Sequence, residues 1–113
     1  MKKILIVAKD EGIREALKLA CKGMKFESIA VDHSNALGIF LEEEPAAVII
    51  CDYNERGEKE YFEGTETFGD IKNSATNEIV LRMGFPKADY EDYLQMPFKL
   101  ETLKKKLIKK GGK

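Results

Sequence analysis

The feature that most constrains the fold of this chain is an uninterrupted apolar run, Ala47-Val48-Ile49-Ile50-Cys51, which leads directly into Asp52. A strand that shows no alternation of apolar and polar residues is typical of a parallel sheet covered by helices on both faces. Ligand sites in such sheets lie at the carboxyl ends of the strands. Asp52 is therefore a candidate functional residue, although an aspartate here could equally cap a turn by accepting backbone N–H bonds.

The size and charge of the chain exclude several classes of protein. Its 113 residues, 43% hydrophobic and 35% charged, suit one globular domain. We expect the domain to span residues 1–110, with residues 111–113 as a tail or the start of a linker. A net charge of −1 predicts neither a nucleic-acid partner nor a membrane surface. No apolar run has the length of a membrane span or a signal-peptide core, which predicts a cytoplasmic protein.

Apolar runs and helical periods alternate along the chain. Short strands are predicted at residues 4–7, 26–31, 47–51, 79–81 and 93–96. The helix after the first strand ends at Gly23. Ser34 is expected to cap the next helix, and a weaker helix is expected over residues 65–72. The apolar faces predicted for the first, second and last helices are Ile13, Ala16, Leu17, Ala20 and Cys21; Ala36, Leu37, Phe40 and Leu41; and Leu100, Leu103, Leu107 and Ile108.

This alternation predicts an α/β fold, a doubly wound three-layer sandwich around a five-stranded parallel sheet. Right-handed crossovers favour the flavodoxin-like strand order 2-1-3-4-5. That order places the loop of residues 8–12 beside Asp52 and puts Arg82 at the end of the neighbouring strand. The side chains predicted to meet at this edge of the sheet are Lys9, Asp10, Asp52, Asn54, Arg56, Arg82 and Met96.

These residues do not form a familiar catalytic set, so the chain is not predicted to be an enzyme. The loop after the first strand has only Gly12, whereas a phosphate-binding loop needs several glycines. His33 is the only histidine, and we expect a surface imidazole without a partner rather than a catalytic base. Asp52 and a backbone carbonyl could supply two ligands to a divalent metal, but Lys9 would repel the ion. Cys21 and Cys51 have no metal-ligand spacing and are expected to be buried, reduced thiols.

Several stretches resemble one protein family over nearly the whole length. Residues 2–7 and 13–15, the segment Pro45-Ala46-Ala47-Val48-Ile49-Ile50-Cys51-Asp52, and residues 64–68 and 92–98 are similar to the receiver domain of two-component response regulators. The resemblance implies the flavodoxin-like fold and a role in phosphorelay signalling. It also implies that Asp52 occupies the position of the phospho-accepting aspartate.

The other functional positions of that family are altered in this chain. The acidic pair that holds magnesium in receivers is matched by Ala8 and Lys9, with Asp10 and Glu11 one position too far along unless the strand end bulges. Arg82 stands where receivers carry Thr or Ser, and Met96 where they carry Lys. The segment between the last two strands is also shortened, so the fourth of the five helices of a receiver is expected to be short or absent.

The departures predict a degenerate receiver, or pseudo-receiver. Lys9 would replace the metal beside Asp52, with Asp10, Asn54 and Arg56 as possible supporting residues. The chain would then act by protein–protein interaction, with a histidine kinase or a downstream regulator as partner, and without a cofactor. Two alternatives stay open. Asp52 could be a working phospho-acceptor that uses Mg²⁺, or Lys9 and Arg82 could hold a small anionic ligand between strands 1 and 3.

Overall fold

The computed structural model describes residues 3–51, 61–75, 79–84, 93–95 and 100–108. Within them, strands and helices alternate as the sequence predicts up to the fourth strand, which is followed by the fifth strand and the last helix. The strands are β1 (Lys3–Val7), β2 (Glu27–Val31), β3 (Ala47–Cys51), β4 (Ile79–Gly84) and β5 (Tyr93–Gln95), and the helices are α1 (Glu11–Gly23), α2 (Ala36–Glu43), α3 (Tyr61–Ser74) and α4 (Leu100–Ile108).

The strands form one parallel five-stranded sheet in the order β2-β1-β3-β4-β5. This confirms the predicted α/β fold and strand order. The pairing of β1 with β2 runs without interruption from Lys3 opposite Glu27 to Val7 opposite Val31. Since β1 contains no bulge, nothing shifts Asp10 back into the position of the missing acidic pair.

Two apolar layers cover the sheet, one on each face. Alternate residues of β3 point to opposite sides, so that Ile49 contributes to one cluster and Val48 to the other. The Ile49 layer contains Leu17 of α1 and Leu103 of α4. The opposite layer is closed by α2 and α3, whose apolar faces are partly supplied by Phe40 and Ile71. All five residues of β3 are buried, as the absence of alternation predicts.

Two residues predicted to be buried are exposed in the structure. Ala16 lies on the solvent side of α1, and 58% of Leu41 is exposed on α2. Both sit at the edge of a helical face whose centre packs on the sheet. The helical period therefore predicted the centre of each apolar face correctly but predicted a face that is too wide.

Several element boundaries also differ from the prediction. β4 continues through Gly84 instead of ending at Leu81, and α3 begins at Tyr61 and is longer than expected. Ser34 does not cap α2. It belongs to a short 3-10 turn whose cap is the side chain of Asp32, while the side chain of Asn35, the residue before α2, makes no capping bond to that helix.

The helix that a receiver has between its last two strands is short or absent in this chain, as predicted. Only residues 85–92, outside the described part of the chain, separate the end of β4 from the start of β5. They could form at most about two helical turns. Of the helices that the structure does describe, none has both the length and the apolar composition that a membrane span requires.

Candidate functional site

The carboxyl ends of β1 and β3 define the candidate site. These strands are neighbours, with Val7 opposite Ile50, so the residues that follow them emerge at the same edge of the sheet. The description of β3 ends at Cys51. Asp52, Asn54, Arg56 and Met96, all predicted site residues, lie outside the described residues. The described side chains at this edge of the sheet come from the β1 and β4 sides.

The loop after β1 is built around Ala8, Lys9 and Asp10. Ala8 is fully buried, and its backbone N–H donates to the carbonyl of Val31, which continues the pairing of β1 with β2. The Lys9 side chain is exposed. The carboxylate of Asp10 accepts a hydrogen bond from the backbone N–H of Ile13 at 3.0 Å and caps α1. Asp10 therefore stabilises the start of a helix, a role that aspartate often has at this position.

Arg14 is a residue of this site that the sequence did not reveal. It is not part of the apolar face predicted for α1, yet its side chain is half-buried. The guanidinium Nη1 atom donates to the carbonyl oxygens of Ala8 at 2.8 Å and Lys9 at 3.0 Å. A fixed positive charge is thus bound to the backbone of this loop. In receiver domains, which the sequence resembles, the corresponding loop carries the acidic pair. An arginine one turn after a helix cap is the only sequence signal for this contact, and it is weak.

The positive charge of Arg14 also acts on Asp32, the residue that follows β2. The carboxylate of Asp32 accepts hydrogen bonds from the Oγ atom of Ser34 at 2.7 Å and the backbone N–H of Ser34 at 3.1 Å. The Ser34 side-chain bond is the main cause of a lowered pKa of Asp32, and the nearby charge of Arg14 lowers this pKa further. Asp32, like Asp10, is engaged in a local cap.

Arg82 does not stand at the end of its strand. It lies inside β4, opposite Ile50, with Met83 and Gly84 still to follow. Its guanidinium carbon is 5.5 Å from the centre of the Phe68 ring on α3, a distance suited to a cation–π contact. The strand continues through these residues because they pair with β5, with Arg82 opposite Tyr93 and Met83 opposite Leu94. Met83 enters the apolar layer on the face of the sheet opposite to Phe68. Lys9 follows β1 and Arg82 lies within β4, and β3 separates these two strands.

The prediction that His33 is a partnerless surface residue is wrong. His33 is only 9% exposed, and its Nδ1 atom lies 2.9 Å from the Oγ1 atom of Thr67. Its Nε2 atom is shielded and has no hydrogen-bond partner among the described residues. An open cavity of about 440 Å³ lies between the start of α2 and α3 and is lined by His33, Ser34, Leu37, Glu66, Thr67 and Asp70. The contact depends on α3 packing beside the 3-10 turn, which the local sequence cannot show.

Comparisons with solved structures identify proteins of the same architecture. The chain is similar to the chemotaxis protein CheY4 of Vibrio cholerae, with a TM-score of 0.75 and 18% identity over 97% of this chain and 98% of that one. A chain in the complex of histidine kinase ThkA with response regulator protein TrrA gives a TM-score of 0.76 and 24% identity over 96% and 97% of the two chains. The N-terminal domain of the nisin resistance regulator NsrR gives a TM-score of 0.75 and 16% identity over 97% of each.

At the level of sequence no protein-family model matches the chain, and no curated protein matches it. The structural similarity covers nearly the full length of both partners in each of the three comparisons above. It agrees with the strand order, the two helical layers and the position of β3 found here. The chain therefore has the fold of the receiver domains of response regulators.

Proposed function

We propose that this chain is a receiver-like signalling module that acts by protein–protein interaction and does not depend on magnesium-driven phosphorylation of Asp52. The fold supports the signalling role, since the structures similar to it are response-regulator proteins, one of them in complex with a histidine kinase. A histidine kinase or a downstream regulator is accordingly the proposed partner. The argument against magnesium comes from the loop after β1.

The contact of Arg14 with this loop carries the proposal. Magnesium in proteins is held by oxygen ligands, commonly one or two carboxylates. Here Ala8 and Lys9 supply no carboxylate, and the carboxylate of Asp10 caps α1. The two backbone carbonyls of the loop point to the guanidinium of Arg14. Positive charge at this edge of the sheet raises the free energy of a bound divalent cation and stabilises an ionised carboxylate instead.

The first experiment is the intact mass of the protein after incubation with acetyl phosphate, with and without MgCl₂, for the native chain and Asp52→Asn. We expect no phosphoryl adduct on either protein in either condition. An adduct on the native chain that is missing from Asp52→Asn would overturn the proposal and restore a working phospho-acceptor. The comparison with and without magnesium would then show whether the metal takes part.

A second experiment tests the replacement of the metal by Lys9. The Lys9→Asp variant adds a carboxylate to the loop after β1 and removes a positive charge. Isothermal titration with MgCl₂ should detect binding to this variant and none to the native chain. Lys18→Asp is the matched control, because it makes the same change of charge at an exposed position of α1. If folded Lys9→Asp binds magnesium no better than Lys18→Asp, metal replacement by Lys9 is wrong.

A further inference from the structure

One side of α1 exposes an apolar row to solvent. Gly12, Ala16, Leu19 and Gly23 are all exposed, and their spacing of four, three and four residues places them along one face of the helix. Leu17 and Cys21, in contrast, face the sheet. Leu19 is 69% exposed and is the most exposed large apolar side chain in the part of the chain that the structure describes.

A row of charged residues with the same spacing runs beside this apolar row. Glu11 and Glu15 lie in the first half of α1, and Lys18 and Lys22 lie in the second half. All four are exposed, and the one ion pair among them, Lys18 with Glu15 at 3.9 Å, is long. The charged row is therefore negative at one end of the helix and positive at the other.

We propose that this face of α1 binds the same face of a second copy of the chain, with the two helices antiparallel. A two-fold axis perpendicular to the helices would bring the charged rows together on one side. Glu11 and Glu15 of each copy would then face Lys22 and Lys18 of the other. In a parallel arrangement the two-fold axis would run along the helices, and the charged rows would lie on opposite sides of the contact without facing each other. Only the antiparallel arrangement therefore pairs them.

The shape of the apolar row fits the same arrangement. Small residues let two helix backbones approach closely, and Gly12, Ala16 and Gly23 leave room on either side of Leu19. The Leu19 side chain of one copy would pack beside Ala16 of the other and lose its contact with water. Adding a Cβ atom at Gly23 meets nothing within 4 Å in the single chain, so this space is open to a partner.

The size of the contact predicts a weak dimer. A helix of 13 residues is about 20 Å long, so one helix pair buries less than a standard protein–protein interface. We expect a dissociation constant above about 1 µM. The dimer should therefore form as the protein concentration is raised. It does not depend on whether Asp52 accepts a phosphoryl group.

Sedimentation equilibrium on the full chain with paired charge reversals tests the proposal. The variants Glu11→Lys/Glu15→Lys and Lys18→Glu/Lys22→Glu should each remain monomeric at concentrations where the native chain dimerises. Mixed in equal amounts, they should form a heterodimer, because a fully basic helix then faces a fully acidic one. The control Lys104→Glu/Lys105→Glu changes two exposed lysines of α4 and should dimerise like the native chain.

Two results would overturn the proposal. The first is a native chain that stays monomeric up to a protein concentration of about 1 mM. A dimer that forms only above this concentration would be too weak to be of functional use. The second is a dimer that both charge-reversed variants still form by themselves, since its interface would then lie elsewhere. Circular dichroism confirms that each variant is folded. Leu19→Ala, which leaves every charge in place, should weaken the dimer at least several-fold and provides an independent measurement.

Discussion

The Nδ1 atom of His33 and the Oγ1 atom of Thr67 are 2.9 Å apart, and this hydrogen bond ties the 3-10 turn after β2 to the middle of α3. Both side chains are buried. The turn leads directly into α2, so the bond fixes α2 and α3 side by side on one face of the sheet. Outside this bond, the two helices meet mainly through apolar residues such as Phe40 and Ile71.

Loss of one partner of this bond should cost more than loss of both. Thr67→Val keeps the shape of the side chain but leaves Nδ1 of His33 buried without a partner, and we expect the free energy of unfolding to fall by about 1–3 kcal/mol. The double variant His33→Leu/Thr67→Val should lose less than the sum of the two single variants, because no polar atom is then stranded. Urea unfolding of the four proteins measures this coupling, and strict additivity would contradict it.

Replacement of Arg14 should loosen the loop after β1. Arg14→Met keeps much of the aliphatic length but removes the donor to the carbonyls of Ala8 and Lys9. We expect a loss of about 1–2 kcal/mol, discounted because the group is only partly buried. Lys18→Met, at an exposed position of the same helix, is the control and should change stability by less than about 0.5 kcal/mol. Equal effects of the two changes would show that the loop contacts contribute nothing.

The two neighbouring apolar residues Phe40 and Leu41 should respond very differently to truncation. Phe40 is 4% exposed in the α2–α3 layer, whereas Leu41 is 58% exposed. Phe40→Ala should lower the free energy of unfolding by about 3–5 kcal/mol. Leu41→Ala should have an effect within about 0.5 kcal/mol. Thermal unfolding distinguishes these outcomes, and a large effect of Leu41→Ala would mean that α2 is rotated relative to the structure.

A glycine inside α3 offers a simple gain in stability. Gly69 lies within the helix, and a Cβ atom added to it would meet nothing within 4 Å. Gly69→Ala should therefore raise the free energy of unfolding by about 0.5–1 kcal/mol, because alanine restricts the unfolded chain and suits a helix. Gly38→Ala, in α2 with the same open space, should behave alike. Destabilisation by Gly69→Ala would contradict the open environment of this helix face.

The thiol of Cys21 should make the protein less stable at high pH. Burial raises its pKa from the ordinary value of 9.0 to about 11. Above pH 9 the unfolded chain loses this proton while the folded chain keeps it, so ionisation favours the unfolded state as the pH rises toward 11. The stability advantage of the native chain over Cys21→Ala should thus shrink between pH 7 and pH 10. Chemical denaturation at both pH values measures the change, and a constant difference would contradict it.

Much of the fold follows from local patterns. The five buried residues of β3 and the helical period around Leu17 were readable from the sequence. Together with the fixed hand of strand–helix–strand crossovers, they led to the observed order of the strands. The margins of the apolar helix faces were predicted less well. Ala16 and Leu41 are apolar and fall at the margin of a face, where the neighbouring elements decide whether a side chain meets protein or water.

The candidate site was only partly predictable for the same reason. Asp10 as a helix cap is a local relation and could be inferred from the residue type and position. The bonds of Arg14 to the loop and of His33 to Thr67 arise only when separate segments come together. The sequence by itself determined which segments become strands and helices, because the backbone period is a local property, and the fixed hand of the crossovers favoured the observed strand order. Only the tertiary structure decided which polar groups become partners, because those distances depend on how whole elements pack.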